Sequence, residues 1–271
     1  SGPHSGGQDN KGAFVTIWGK NFGDVQKDSY ITIGGGRADN YPVWTDTKIT
    51  FQLGENAATG AIVATTAEGP SDGIPFTVRN GDIYFVKTAG DDDGKGTWES
   101  PWRTIIRAKR YIAAGDIVYI GDGVTQIERE DYNAAVNLDS SGTSDKPKAL
   151  IAYPGATVIV GSSDLWRGFH NWIPGKGSAG AYWIISQLTI MGRDNAVPCA
   201  TGFRIIGNKI STPQGDGPTA ATYGEGSHVR ILGNEYYECG TTASSKLYQV
   251  IYISNHTSAE ISDIEIAWNV I

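Results

Sequence analysis

Lys246, Tyr248 and His256 flank the β-prone run Gln249-Val250-Ile251-Tyr252-Ile253, so a strand that begins where a loop ends brings an amine, a phenol and an imidazole to one rim. Arg204 and Arg230 stand at matching places in two similar phrases upstream. A base that takes a proton beside a carboxylate, a cation that holds this carboxylate, and an acid for the departing oxygen are what β-elimination from a uronic acid requires. Lys246 or His256 would be the base, Arg204 or Arg230 the cation and Tyr248 the acid. The alternative for the arginines is a structural ladder on the flank of the fold.

Other residue types point elsewhere. Glycoside hydrolysis asks for two facing carboxylates about 5 to 10 Å apart. Asp216, Glu225, Glu238, Glu260 and Asp263 are available, yet no Asp-Asp pair falls among them. His170 lies within Trp166-Arg167-Gly168-Phe169-His170-Asn171-Trp172, and Trp166, Trp172, Tyr182 and Trp183 offer flat faces on which sugar rings stack; the same residues would equally serve by folding back onto the core. Asp91-Asp92-Asp93 between Gly90 and Gly94 invites a hard cation, Ca2+ above all, although the EF-hand spacing is missing and a solvated loop that caps the next element is the plainer role. There is no Ser-His-Asp set, no HExxH and no phosphate-cradling glycine loop.

The elements that must position these residues are announced by a repeat. Phe203-Arg204-Ile205-Ile206-Gly207-Asn208-Lys209-Ile210 returns as Val229-Arg230-Ile231-Leu232-Gly233-Asn234-Glu235-Tyr236 and again as Ile264-Glu265-Ile266-Ala267-Trp268-Asn269-Val270-Ile271. Strand, turn and strand recurring in this way predict a solenoid of stacked coils. Further turns are expected at Gly121, Pro154-Gly155 and Ser186-Gln187, making about six coils with gaps of roughly 20 to 35 residues. Residues 128–148, 165–179, 211–226 and 239–247 read as loops. Asn208, Asn234 and Asn269 are expected to stack, each amide bonding the next, in the left-handed backbone that asparagine tolerates. This register places Arg204 and Arg230 side by side, but on a different sheet from Lys246 and Tyr248.

The first 80 residues differ. Phe14–Trp18, Tyr30–Ile33, Lys48–Phe51, Ala61–Thr65 and Pro75–Val78 are short β-rich runs between Gly, Asn and Asp signals, the spacing of a small β-sandwich, with Gly34-Gly35-Gly36 as a turn. Ser1-Gly2-Pro3 with Gly6-Gly7, Val15-Thr16-Ile17 leading to Gly19-Lys20-Asn21-Phe22-Gly23, Gly60-Ala61-Ile62-Val63, and Pro75-Phe76-Thr77-Val78 resemble the IPT/TIG immunoglobulin-like domains. The resemblance implies a spacer or interaction module of surface and secreted proteins. The strand expected ahead of Ser1 is missing.

From Asp82 the pattern changes to a strand at Ile83–Val86, the loop Gly90–Thr97, a short amphipathic helix over Pro101–Ala108 and a strand at Asp116–Ile120. This order is similar to the opening of the secreted right-handed parallel β-helix proteins of the pectate-lyase-like superfamily, in which the helix implies a cap over the first coil. Such a cap answers the need to cover unpaired edges and an apolar interior. Related proteins carry His-Gly-Ile-Tyr where this chain has Gln249-Val250-Ile251-Tyr252, a departure that weakens an inherited catalytic role there. The resemblance implies an extended polysaccharide as partner and, for an enzyme, a lyase ahead of a hydrolase.

Composition bounds these readings. With 36 glycines, 13 tyrosines, 8 tryptophans and one methionine among 271 residues, the balance is that of an all-β protein. A net charge of -7 and no basic patch argue against nucleic acid. No apolar run of about 18 residues exists to span a membrane. Cys199 and Cys239 are too few for a disulfide framework and read as thiols stacked in neighbouring coils, with a disulfide as the other possibility. The chain begins at Ser1 in mid-motif and stops at Ile271 in mid-coil, which suggests a fragment of a secreted or surface protein. The expectation is an all-β chain: an immunoglobulin-like sandwich over 1–80, then a right-handed parallel β-helix over 81–271 (cap 81–115, coils 116–271), truncated at its C-terminal end. Two functions remain open, a carbohydrate-active protein working along the helix groove and a non-catalytic adhesin or fibre. Oligomeric state is not legible.

Overall fold

Short β-branched runs pair antiparallel at the start of the chain, and parallel strands take over after them. The computed structural model describes residues 1–173, 178–213, 220–240, 249–254 and 261–271. Two compact units result, Ser1–Tyr84 and Phe85–Ile271.

In the first unit Lys48–Gln52 lies between Phe14–Trp18 and Val43–Trp44, and a second sheet runs Gly36–Arg37, Tyr30–Ile33, Gly60–Thr66, Gly69–Pro70, with Ile74–Phe76 also paired to Gly60–Thr66. Period-two alternation points Ile31, Ile33, Ile62 and Ala64 from one sheet, with Ile49 and Phe51 from the other, into a common apolar interior. Gly34 and Gly35, at φ 56° and 90°, make the hairpin turn that only a residue without Cβ enters at no cost. Gly2 bridges in parallel to Val78, so the chain start is already paired.

The second unit is a right-handed parallel β-helix with three sheets. The first contains, in spatial order, Ile83–Val86, Ile117–Ile120, Lys148–Ala152, Trp183–Ser186, Arg204–Ile206, Val229–Leu232 and Ile264–Ala267. The second contains Thr125–Gln126, Ile159–Val160, Thr189–Met191, Lys209–Thr212 and Glu235–Cys239. The third is built from Ala134–Asn137 with Arg167–His170, and from Val197–Cys199, Ala220–Gly224 and Gln249–Ile253. Leu150, Ile185, Ile205 and Ile231 stack inward from successive coils, and all are buried.

Three expectations are corrected. Residues 128–148, 165–179 and 211–226 are not plain loops, because each contains a third-sheet strand. Ala134-Ala135-Val136-Asn137 is buried throughout and so shows no alternation to read. The cap helix runs Ile105–Tyr111, later than Pro101–Ala108, because Thr104 is its N-cap and accepts from Arg107 N. Trp102, ahead of it, is fully buried and bridges in parallel to Val86. The turn of the fourth first-sheet strand falls at Gln187-Leu188, one residue beyond Ser186-Gln187, since Ser186 pairs with Ile206.

Candidate functional site

Two columns of left-handed residues bound the last four strands of the first sheet. On the exit side they are Gln187, Gly207, Gly233 and Trp268, at φ 61°, 65°, 61° and 57°. The asparagines follow these residues and do not themselves take the left-handed backbone, contrary to the expectation. Instead their amides stitch the coils: Asn269 Oδ1 accepts from Asn234 N and Nδ2, Asn234 Oδ1 from Asn208 N and Nδ2, and Asn208 Oδ1 from Leu188 N.

On the opposite side stand Tyr182, Gly202, His228 and Asp263, at φ 56°, 72°, 59° and 55°. Tyr182, His228 and Asp263 lie just before their strands, so their side chains project beside the outward residues of the sheet, and Gly202 occupies the same row without a side chain. Those outward residues include Arg204, Arg230 and Glu265, which are direct cross-strand partners in successive coils. Together with Ser144 and Pro147 these elements line a cleft of about 440 Å³ around Tyr182, Gly202, Arg204, His228, Arg230 and Asp263. The Tyr182 ring lies over Gly202, where an added Cβ would come within 2.1 Å of Tyr182 Cδ1, so glycine is needed there for the ring to lie flat.

Charge in the cleft is unevenly satisfied. Arg230 donates from Nη2 to Asp263 Oδ1 at 2.7 Å and from Nη1 to Asp263 O at 2.8 Å, and its Nε is 3.3 Å from Glu265 Oε2. His228 Nδ1 is 2.8 Å from Asp263 Oδ2. Hydrogen bonds from His228 and Arg230 hold the Asp263 carboxyl below its ordinary range. Arg204 is half-buried and, among the described residues, has no carboxylate partner. Burial, with the neighbouring Arg230 charge, lowers its affinity for a proton. A desolvated guanidinium beside a second one is a receptor for a planar anion.

The site residues read from the sequence scatter. Arg204 and Arg230 come together as expected. Lys246, Tyr248 and His256 lie outside the described residues; the strand next to them, Gln249–Ile253, belongs to the third sheet. Asp216 and Glu260 also lie outside. Trp166, Trp172 and His170 belong to a third-sheet region away from the arginine column, with Trp166 and Trp172 exposed and His170 tilted against Tyr132 at 5.1 Å. His228 was missed. The signal was one residue to the left of the repeated phrase, where Gly202, His228 and Asp263 align once the phrase is extended.

The acidic loop does not fit a calcium ion. Asp92 Oδ1 accepts from Arg103 N and Thr104 N at 2.9 Å, and Oδ2 from Thr104 Oγ1 at 2.7 Å, so this carboxylate holds the start of the cap helix. Asp91 Oδ1 accepts from Asp93 N. Among the described residues no group of three His, Cys, Asp or Glu side chains is placed to bind a metal. The two thiols are free and lie on different sheets, with Cys199 ending a third-sheet strand and Cys239 a second-sheet one, so they do not stack.

With this geometry in place, comparison with known proteins is direct. Residues 84–238 match the family described as "Pel9A-like, right handed beta helix region", and residues 2–91 match the IPT/TIG domain. The chain belongs to the Pel9A-like right-handed β-helix family and carries an IPT/TIG domain ahead of the helix. It is 25% identical to the uncharacterized protein YwoF of Bacillus subtilis over 164 residues, 60% of this chain and 30% of that protein. It is 34% identical to pectate lyase PEL9 of Emericella nidulans over 86 residues, 31% of this chain and 19% of that protein. A solved rhamnogalacturonan lyase superposes with a TM-score of 0.44 at 18% identity, over 69% of this chain and 49% of that one. The chain therefore spans less than a third of the length of these two curated relatives.

Proposed function

We propose that this chain is part of a secreted, carbohydrate-active protein that engages an acidic polysaccharide along the outer face of the first sheet and cleaves it by β-elimination. The observation that carries the reading is Arg204, a half-buried cation with no carboxylate partner among the described residues, in register with Arg230. A uronate carboxylate supplies the missing anion. The pectate lyase named among the relatives supports the same class of partner.

In this reading Arg204 pairs with the carboxylate at C5 and stabilises the charge that builds there as the C5 proton leaves. His228, its Nδ1 engaged by Asp263, offers Nε2 as the base. The C5–H electron pair becomes the C4–C5 double bond, the C4–O4 bond breaks, and O4 takes a proton from an acid. Lys246, Tyr248 and His256 remain the sequence candidates for that acid or for an alternative base. The sandwich serves as a spacer.

The test is incubation with acidic polysaccharides, following absorbance of the unsaturated uronate, alongside binding measured for wild type and Arg204→Gln. Absorbance and binding that are both lost in Arg204→Gln support the reading. Binding without new absorbance favours the non-catalytic adhesin, and undiminished binding by Arg204→Gln removes the arginine cleft from the account.

A further inference from the structure

The sandwich carries a cleft of its own, about 420 Å³ in volume, lined by Gln26, Lys27, Ser29, Tyr30, Arg37 and Tyr41, among others. Local pairing builds it. Thr32 is the cross-strand partner of Arg37, so Arg37 stands diagonally opposite Tyr30 on the same face of the sheet, and its guanidinium rests over the Tyr30 ring at 3.9 Å. Stacking holds the planar group by its face and leaves the N–H edge open. A turn closed by the hydrogen bond from Ser29 N to Gln26 O at 2.8 Å, with Lys27 at φ 46°, leads into the same strand and forms the rim.

The cations of this cleft are not neutralised from within the sandwich. Arg37 and Lys27 make no hydrogen bond or salt bridge among the described residues, and Asp39, which is near enough to act on Tyr41, pairs instead with Lys11 at 3.7 Å. Tyr41 OH accepts from Ile31 N at 3.0 Å, which leaves the phenolic proton to be donated. Burial raises the affinity of this phenol for its proton, so it stays a donor. Two cations and a phenol on one cleft make a receptor for an oxyanion. The remaining lining decides which one. A volume of about 420 Å³ is that of a small-molecule pocket, and Asp28 and Ser29 add an acceptor and a hydroxyl beside the cations. Asp28 repels a ligand that is anionic all round and accepts from one that carries hydroxyls. A carboxylate and several hydroxyls on one small ring describe a uronic acid.

We infer that this cleft binds one uronate residue of an acidic glycan, so that the sandwich is a glycan-holding module as well as a spacer. The inference stands on the sandwich residues by themselves. It goes beyond the arginine cleft and adds a binding site with no part in bond cleavage.

The experiment titrates trigalacturonate into the full chain carrying Arg204→Gln and follows the backbone amide resonances of Ser29, Tyr30, Arg37 and Ala38, with galactotriose and inorganic phosphate as companion probes. Trigalacturonate is expected to shift these amides saturably and at least tenfold more tightly than phosphate, and galactotriose to leave them in place. Adding Arg37→Gln should weaken the trigalacturonate response about tenfold, and adding Lys27→Gln about threefold. Both side chains are exposed, and thermal unfolding reports that the variants are intact. A titration unchanged by Arg37→Gln overturns the inference. Amides that move alike for phosphate and trigalacturonate also overturn it, by reducing the cleft to a general oxyanion receptor, and so do amides that do not move at all. Each of these outcomes leaves the arginine cleft standing, because its own test compares wild type with Arg204→Gln. Saturable shifts in the sandwich, together with binding that Arg204→Gln leaves undiminished and no unsaturated uronate, keep this inference and remove the arginine reading.

Discussion

Asn234 Oδ1 accepts two hydrogen bonds from Asn208, one from the backbone N at 2.9 Å and one from Nδ2 at 3.0 Å, and the arrangement is repeated one coil on between Asn269 and Asn234. Each Nδ2 also donates to a carbonyl of the preceding coil, Ile185 O for Asn208, Ile205 O for Asn234 and Ile231 O for Asn269. The turn's buried polar groups are thus satisfied by its neighbours above and below, as burial demands.

Asn234→Ala is expected to be the costliest change in this ladder. It leaves the backbone N of Asn208 without its acceptor, takes one of the two acceptors from Asn208 Nδ2 and removes a donor from Ile205 O in a buried turn, at a cost of about 1–3 kcal/mol. Asn269→Ala, at a half-exposed position, should cost clearly less. Urea unfolding of the two variants measures the difference; equal losses would contradict it.

Trp268→Gly should stabilise. Trp268 holds φ 57° with 78% of its surface exposed, so little packing is lost when the left-handed strain of about 1 kcal/mol is relieved. A lower melting temperature in the variant would show that the indole makes up for its backbone.

Lys109, on the cap helix, is fully buried, its Nζ 2.9 Å from both Glu130 Oε1 and Asp139 Oδ2. Removing a buried charge strands its partners. Lys109→Met should therefore cost roughly 3–5 kcal/mol, and adding Glu130→Gln should recover part of it. A double variant worse than the single one would count against this.

His170 supplies a pH signature. Burial first, and the Arg167 charge second, push its imidazole down to about 4, and its Nδ1 is buried without a partner. Between the ordinary value near 6.5 and about 4 the unfolded chain binds a proton that the folded chain refuses, so stability falls as the pH falls through that window. The difference in unfolding free energy between wild type and His170→Asn should shift against wild type across this interval and stay level above it. A difference independent of pH would place the imidazole in water.

Much of the fold was legible because its signals are local. Val229-Arg230-Ile231-Leu232 alternates, its turn has a glycine, and its asparagine recurs, so the register that joins Arg204 to Arg230 could be read from spacing alone. The third sheet was hidden because Ala134–Asn137 has four residues, all buried, between charged stretches that read as loop. The His228–Asp263 contact joins residues 35 apart, and becomes visible only when coils of unequal length are brought into register. That Arg204 has no carboxylate partner among the described residues is a property of three coils together.

At the last four strands of the first sheet the two columns of left-handed residues keep one interval: Tyr182 to Gln187, Gly202 to Gly207, His228 to Gly233 and Asp263 to Trp268 are each five residues apart. From one window to the next, by contrast, the connecting chain lengthens, from Gln187 to Gly202, Gly207 to His228 and Gly233 to Asp263. Growth is thus confined to the far side of the coil. The five-residue windows behave as interchangeable cassettes: an insertion between them alters the periphery without shifting a side chain of the cleft, and a window carried from one coil to another would bring its charge to the same row.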